Sequence, residues 1–422
     1  MRVCGLLPLR ARVPSPLVRY ACAQGAQTSA YMMFAAGIAF VGADESDTRG
    51  LAFTLCARTL PTLIMAFVGG VLADRWDRRT TASLTLATVT ASYFVTAPLV
   101  AFGGGLGWPV QLLSLASGFV SAFGTPSLYA LLPSLVEDDN LVRANALVRF
   151  FRNAAAVAGP LLGALIAANL GTTATFVAAG ISGMIATALM ASLKIADEKG
   201  GPSSENNPVS RDDAHDSDLH STLRGVCGVL HQYRWLAVGI PFWAVFLAVQ
   251  SGAADVTLPF VVIRATGKYA WSLMASALSI GYVLGSLVSL RLRSPRRALT
   301  GSMAWAVLSA VQLIAPAVTN EPLTWIVVSV VAGIGLEISG VLWGSLLQSQ
   351  VDNRHLGRVS SLDYAVSFGL IPFAYAAYGM LGIVFDGQAV LLWSSVAMIA
   401  LGLVAMPFAA TCERRTARTP AD

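Results

Sequence analysis

Four ionisable side chains stand inside long apolar stretches of this 422-residue sequence: Arg58, Asp255, Glu337 and Asp363. Charge in an apolar, lipid-length helix is costly and is functional by default. A carboxyl withdrawn from water holds its proton more tightly than a solvated one. Glu337, near the middle of its stretch, is therefore the first candidate for taking up and releasing a proton. Asp255 is the second, with Arg58 as a possible ion-pair partner; an exposed vestibule residue is the competing reading of Asp255. Asp363 reads as a structural partner of arginines at the membrane surface. Gln24, Gln27 and Tyr31 are spaced i, i+3 and i+7 and so share one helical face. With Trp243, Phe246 and Gln250, polar and aromatic groups of another apolar stretch, they are the candidates for lining an amphiphilic pocket for a small molecule. Hydrogen bonding between helices is the alternative use of such groups.

Other chemistries find no support. The histidines 215, 220, 231 and 355 fall outside the apolar stretches, and the five cysteines are scattered without a CxxC spacing, so no metal site is readable. Cys22 and Cys56 read as small core residues. No nucleophile–base pair suggests an enzyme. No G-x-x-x-x-G-K-[ST] loop suggests ATP as an energy source, and nothing calls for a cofactor.

The elements that must position these residues are dictated by composition. Hydrophobic residues make up 55% of the chain and charged residues 12%, against about 25% charged in an ordinary soluble domain. The mean hydropathy is +0.65. Too few charges remain to coat a soluble surface. The apolar runs are long and do not alternate, which excludes a membrane β-barrel and leaves an all-α integral membrane protein. Twelve spans are predicted at about 17–41, 51–73, 81–102, 108–132, 145–168, 172–194, 235–263, 270–291, 299–319, 323–347, 358–382 and 388–410.

These spans divide into a tail (1–16), a six-helix half (17–194), a linker (195–231), a second six-helix half (232–410) and a tail (411–422). The first tail carries arginines but only a very short apolar run, so it is not a cleavable signal peptide. The linker is polar, glycine- and proline-containing and acidic, and cannot build a core. With both termini cytoplasmic, 24 of the 28 Lys and Arg residues fall on the cytoplasmic side, a strong positive-inside bias. The net charge of +5 thus follows from topology, and no aromatic–basic stripe points to nucleic acid. The expected partners are the lipid bilayer, protons and a small-molecule substrate, and the chain is expected to be monomeric in a bacterial-type plasma membrane.

The two halves repeat. An offset of 215 residues superimposes Pro133–Leu147 on Gln348–Leu362, with Ser134/Ser349, Val136/Val351, Leu141/Leu356, Arg143/Arg358 and Leu147/Leu362 identical. The same offset pairs Gly70 with Gly285 and Arg78 with Arg293. Six helices preserve orientation, so the repeat is parallel, about a pseudo-two-fold axis along the membrane normal. Arg58, Asp255 and Glu337 have no charged counterpart at this offset, so they are additions to the repeated scaffold.

Two segments carry further pattern. The second loop reads Gly69-Gly70-Val71-Leu72-Ala73-Asp74-Arg75-Trp76-Asp77-Arg78-Arg79. A surface anchor explains the arginines but not an aspartate at the helix end. The fifth span contains Gly159-Pro160-Leu161-Leu162-Gly163, where proline removes a helix hydrogen bond and glycine admits a neighbour.

The loop resembles the signature G-x-L-x-D-R-x-G-R-[RK] of the major facilitator superfamily, matching at Gly70, Leu72, Asp74, Arg75, Arg78 and Arg79, with Asp77 where the family has glycine. The resemblance implies a cytoplasmic latch formed by Gly70, Asp74, Arg75, Arg78 and Arg79 against the helix beginning near Gly357-Arg358. In the second half Ser289 replaces the aspartate, so only the first latch is expected. The Gly159, Pro160 and Gly163 kink is similar to the family's antiporter motif, though partial, with Ala155 and Ala164 at usual glycine positions; a simple packing kink is the alternative. Asn145-Ala146-Leu147 and Gly357-Arg358-Val359-Ser360-Ser361 resemble the enterobactin-exporter-like and macrolide-efflux-like branch. The implied function is export of a small, partly hydrophobic compound (a drug, antibiotic or siderophore-like molecule) by alternating access and proton antiport. Proton-coupled uptake of a metabolite and a non-transporting scaffold or sensor are the alternatives. The fourth span lacks the arginine many drug–proton antiporters carry, so coupling would have to use Glu337 or Asp255.

Overall fold

A computed structural model describes residues 15–72, 78–103, 105–132, 135–136, 141–193, 233–289 and 297–416. The interhalf linker lies outside these residues. Among those described the chain is helical, without strands, and forms twelve rods. In the first half they are α1 (Ser15–Asp44), α2 (Thr48–Leu72), α3 (Arg78–Gly103), α4 (Trp108–Ala130), α5 (Leu141–Leu170) and α6 (Thr172–Ala191). In the second half the seventh rod is α7 (Leu236–Ser251), a π-helical turn (Gly252–Thr257) and α8 (Leu258–Thr266). Then come α9 (Lys268–Ser289), α10 with α11 (Ala298–Leu308, Val311–Val318), α12 (Pro322–Gln350), α13 with α14 (Asn353–Gly369, Ile371–Val384) and α15 (Gly387–Thr416). Each rod overlaps one predicted span. Ten of them are long and apolar enough to cross a membrane on their described residues.

Lipid offers no hydrogen bonds, so every backbone group must be satisfied within a rod. Hydroxyls inside the rods donate to carbonyls of their own preceding turn, as Thr54 does to Gly50, Thr96 to Ser92 and Ser329 to Trp325. The break in the seventh rod has a local cause. Pro259 has no N–H for the carbonyl of Asp255. The ladder slips, and the Leu258 N–H reaches the carbonyl of Ala253, a five-residue step. That slip is the π turn.

The packing repeats with the sequence. In the first half α1 lies against α5 and α6, α2 against α4, and α3 against α4 and α6. The second half reproduces this: the seventh rod meets the eleventh and twelfth, α9 meets α12, and α10 meets α12 and α15. Between halves, α2 meets α14 and α5 meets α9. A six-rod shift exchanges those two contacts, as a two-fold axis between the halves requires. Large side chains such as Phe102, Leu170 and Leu403 are exposed on the outside, as lipid-facing residues are.

The halves are closed against each other on the face where α1 ends and α2 begins, here the far face. Phe40, Ala36, Ala39, Ala43, Ala164 and Ala167 form one cluster there with Ile263. A Cβ at Gly379 would lie 2.4 Å from that of Ala52, so α14 and α2 are at backbone contact.

Candidate functional site

Arg58 sits ten residues into α2, about 15 Å from its far-face end at the rise of an α-helix. α4 crosses α2 so closely there that a Cβ on Gly118 would stand 2.3 Å from the Arg58 carbonyl oxygen. The guanidinium donates to Ser117 Oγ and Tyr93 Oη, both at 3.3 Å. The rings of Phe34, Tyr31 and Tyr93 surround it at 5.0, 5.3 and 5.7 Å from its central carbon, within cation–π range. All these partners are neutral.

Asp255 occupies the π turn, eleven residues from the far-face end of α8, at about the same depth. Its carboxylate accepts a hydrogen bond of 2.7 Å from Tyr375 Oη of α14. Asp255 remains exposed although Gly252, Ala253, Val256 and Thr257 of the turn are buried, so it faces space between the halves. Gly252 lets Tyr378 pack against the turn: a Cβ there would meet the Tyr378 ring at 2.3 Å. Tyr31 lies within Coulombic reach of both Arg58 and Asp255. The expected Arg58–Asp255 ion pair is not formed; Lys268–Asp44 is the ion pair within 4.0 Å among the described residues.

Glu337 lies on α12 and accepts a 2.6 Å hydrogen bond from Ser286 Oγ of α9. It is half-buried at a crossing built by glycines. A Cβ on Gly281 would stand 2.3 Å from the Val330 oxygen, one on Gly333 2.2 Å from the Leu278 oxygen, and one on Gly285 2.8 Å from Glu337 Cβ. Tyr282 is within Coulombic reach of both Glu337 and Asp255. Asp363 is held by neutral partners among the described residues, the side chains of Arg354 and Arg358 lying outside them. It accepts from Trp343 Nε1 at 3.0 Å and Ser367 Oγ at 2.9 Å, because its helix face turns toward α12.

The predicted pocket residues divide. Tyr31 is exposed beside Arg58. Gln24 instead donates to Tyr20 Oη, which donates to the Leu128 carbonyl; that is hydrogen bonding between helices. Trp243 and Phe246 are buried in the core of the second half with Phe242, Leu299 and Met303, so they serve packing. Gln27 Oε1, Trp243 Nε1 and Gln250 Oε1 are buried without a hydrogen-bond partner. A cavity of about 160 Å³ opens between α2 and α13, lined by Thr59, Thr62, Leu63, Tyr364 and Phe368 among others.

Two features govern how the halves meet. Pro160 cannot donate to the Ala156 carbonyl within α5, and Ser279 Oγ of α9 stands 3.3 Å from that oxygen. Ser276 Oγ donates to the adjacent Val157 carbonyl at 2.7 Å. Gly159 and Gly163 of the same segment face α1: a Cβ on Gly159 would lie 2.6 Å from Met32 Cβ. At the far face, Lys268 Nζ donates to Asp44 Oδ2 and Thr172 Oγ1, both at 2.7 Å, and Thr172 donates to Asp44 at 3.0 Å. Arg264 donates to Ser46 Oγ. Thr172 and Lys268 each follow a glycine at φ +87° or +90°, a conformation glycine adopts without steric cost. Nothing in the sequence pattern marked this second cluster, since its members come from three separate loops. Of the predicted latch, Asp74 and Arg75 lie outside the described residues. Gly70, Arg78, Arg79 and Arg358 fall on α2, α3 and α13, with their side-chain positions outside the description.

The Major Facilitator Superfamily profile matches residues 20–374. Enterobactin exporter EntS of Salmonella typhimurium is 25% identical over 358 residues, covering 84% of this chain and 82% of its own. That of Citrobacter koseri is 26% identical over 361 residues, covering 85% and 82%. Among solved structures, the nucleoside transporter NupG superimposes with a TM-score of 0.70 at 12% identity, covering 93% of this chain and 99% of its own. A bacterial homologue of ferroportin in an inward-facing state gives 0.64 at 15% identity, covering 92% and 98%. Twelve rods in two six-helix halves and a profile match across most of the chain together mean that this is a multi-pass membrane transporter, not an enzyme, and that it belongs to the Major Facilitator Superfamily.

Proposed function

We propose that the chain exports a small, partly hydrophobic compound from the cytoplasm in exchange for protons, by rocking its two halves about a midplane site. One observation carries the coupling: the Asp255 carboxyl is exposed between the halves near mid-membrane, held by a single tyrosine hydroxyl. A carboxyl so placed can be protonated from one side and release its proton to the other as access alternates. Glu337, hydrogen-bonded to Ser286, is the second carrier. Similarity to enterobactin exporters supports the outward direction. In this reading both termini are cytoplasmic, the membrane is a bacterial-type plasma membrane, the chain acts as a monomer, and the far face is the outside. The far-face closure then corresponds to an inward-facing state. Asp74 with its arginines latches the opposite face when that state reverses.

The test is uptake into inverted membrane vesicles with and without an imposed pH gradient, against a panel of antibiotics and siderophores. Gradient-dependent accumulation of one compound is the expected result. Accumulation only in right-side-out vesicles would establish uptake instead, and no movement of any compound in either orientation would leave a scaffold or sensor.

A further inference from the structure

We propose that Arg58 is an anion-binding subsite, so that the transported compound carries a carboxylate, phenolate or comparable anionic group joined to an aromatic or apolar body. The proposal rests on the transporter reading and names the substrate class of its cavity. A guanidinium has five N–H donors, and Arg58 uses two hydrogen bonds, both long at 3.3 Å and both to neutral hydroxyls. No carboxylate among the described residues pairs with it. Three aromatic faces enclose the cation; they partly offset its desolvation but supply no counter-charge.

Geometry leaves a place for the missing anion. Tyr31 is exposed, and Arg58 beside it is only partly buried, so the guanidinium reaches the space between the halves that Asp255 also faces. An unpaired cation at this depth attracts an anion strongly because little water screens it. The planar donor fork suits a two-oxygen acceptor. Tyr31 and Phe34 offer flat apolar surface beside the charge, which suits an aromatic ring attached to the anionic group. Asp255, negative when ionised, stands beyond Tyr31 and disfavours a second anion there; the ligand's anionic end is therefore directed to Arg58.

The test is equilibrium binding to the purified full-length protein in detergent, without any gradient. Benzoate, its neutral isostere benzamide and cationic benzylamine serve as probes, read by quenching of intrinsic tryptophan fluorescence. Benzoate should bind roughly tenfold or more tightly than either of the others, as expected of a charge-assisted bidentate contact. Arg58→Gln should abolish that preference, and Arg58→Lys should retain part of it; both variants are first checked for a single gel-filtration peak and a cooperative melt. Equal affinity for benzoate and benzamide in the unaltered protein, or a preference that survives in Arg58→Gln, would overturn the proposal. If Arg58→Gln does not fold, the comparison of the three probes in the unaltered protein and in Arg58→Lys decides it. Because no gradient is involved, failure here leaves export and proton coupling standing. Failure of vesicle transport alongside a benzoate preference would remove those instead.

Discussion

Asp255 and Glu337 differ in what surrounds their carboxyls, and that difference orders their roles. Glu337 is half-buried at a tight helix crossing and takes a 2.6 Å bond from Ser286, a contact within one half. Asp255 is exposed between the halves and bonded from α14. Contact with the moving gap belongs to Asp255, which the sequence ranked second because nothing in it showed which carboxyl faces the cavity. Asp255→Asn should reduce gradient-driven accumulation in inverted vesicles to background while gradient-free substrate exchange continues. Retention of full gradient-driven accumulation would remove Asp255 from the coupling. Glu337→Gln keeps an acceptor for Ser286, so it should leave thermal stability unchanged and likewise abolish gradient-driven transport. Normal accumulation in that variant would reduce Glu337 to a packing residue.

The crossing of α9 and α12 illustrates how glycine position fixes an element. Gly281 and Gly333 put backbone against backbone, the close approach by which helices associate in lipid. Gly281→Leu should lower stability by about 1–3 kcal/mol through overpacking, seen as a reduced melting temperature in detergent. The loop from α1 to α2 supplies a different test. Burial, first, and the neighbouring negative Asp47 and Asp44 hold the Glu45 carboxyl above its ordinary value, partly offset by a hydrogen bond from the Leu106 N–H. A carboxyl raised in the folded loop favours its protonated form there. Its contribution to stability is therefore present at low pH and is lost as pH rises through the raised value. The stability of the first half should accordingly fall modestly from acid toward neutral pH, as reported by the melting temperature in detergent. Glu45→Gln should flatten that part of the profile. An unaltered slope in the variant would assign it to another group.

At the scale of the whole molecule, the far-face closure combines a polar cluster with an apolar seal. Asp44 ends α1 and Lys268 begins α9, so each sits at the helix end its charge disfavours; their mutual contact offsets this. The pair is partly exposed, 25% and 46%, and such pairs contribute at most about 1 kcal/mol. Most of the closure therefore comes from Phe40, Ile263 and the small residues around them. Lys268→Ala should change melting by little yet shift the spin-label distance across this face toward the open state. A large stability loss without such a shift would make the cluster a structural brace. On the opposite face, Asp74→Asn should slow transport while leaving substrate affinity largely intact. Unchanged turnover would mean that its loop is a membrane anchor.

The chain alone fixes its twelve spans, because lipid imposes a length and an apolarity that can be read residue by residue. It also determined the halves and their parallel relation, through the 215-residue repeat, and the family, through the Gly70–Arg79 loop. Pro259, four residues beyond Asp255, was a local signal for the π turn. Which side chains partner one another came from packing. Trp343 and Ser367 hold Asp363, Trp243 and Phe246 face a core, Arg58 stands among aromatic rings with no carboxylate partner among the described residues, and three loops converge on Lys268. Helical periodicity fixes which residues share a face. Which face meets which neighbour depends on where glycines let helices approach and how the two halves are rotated, and those are properties of contacts between segments distant in the chain.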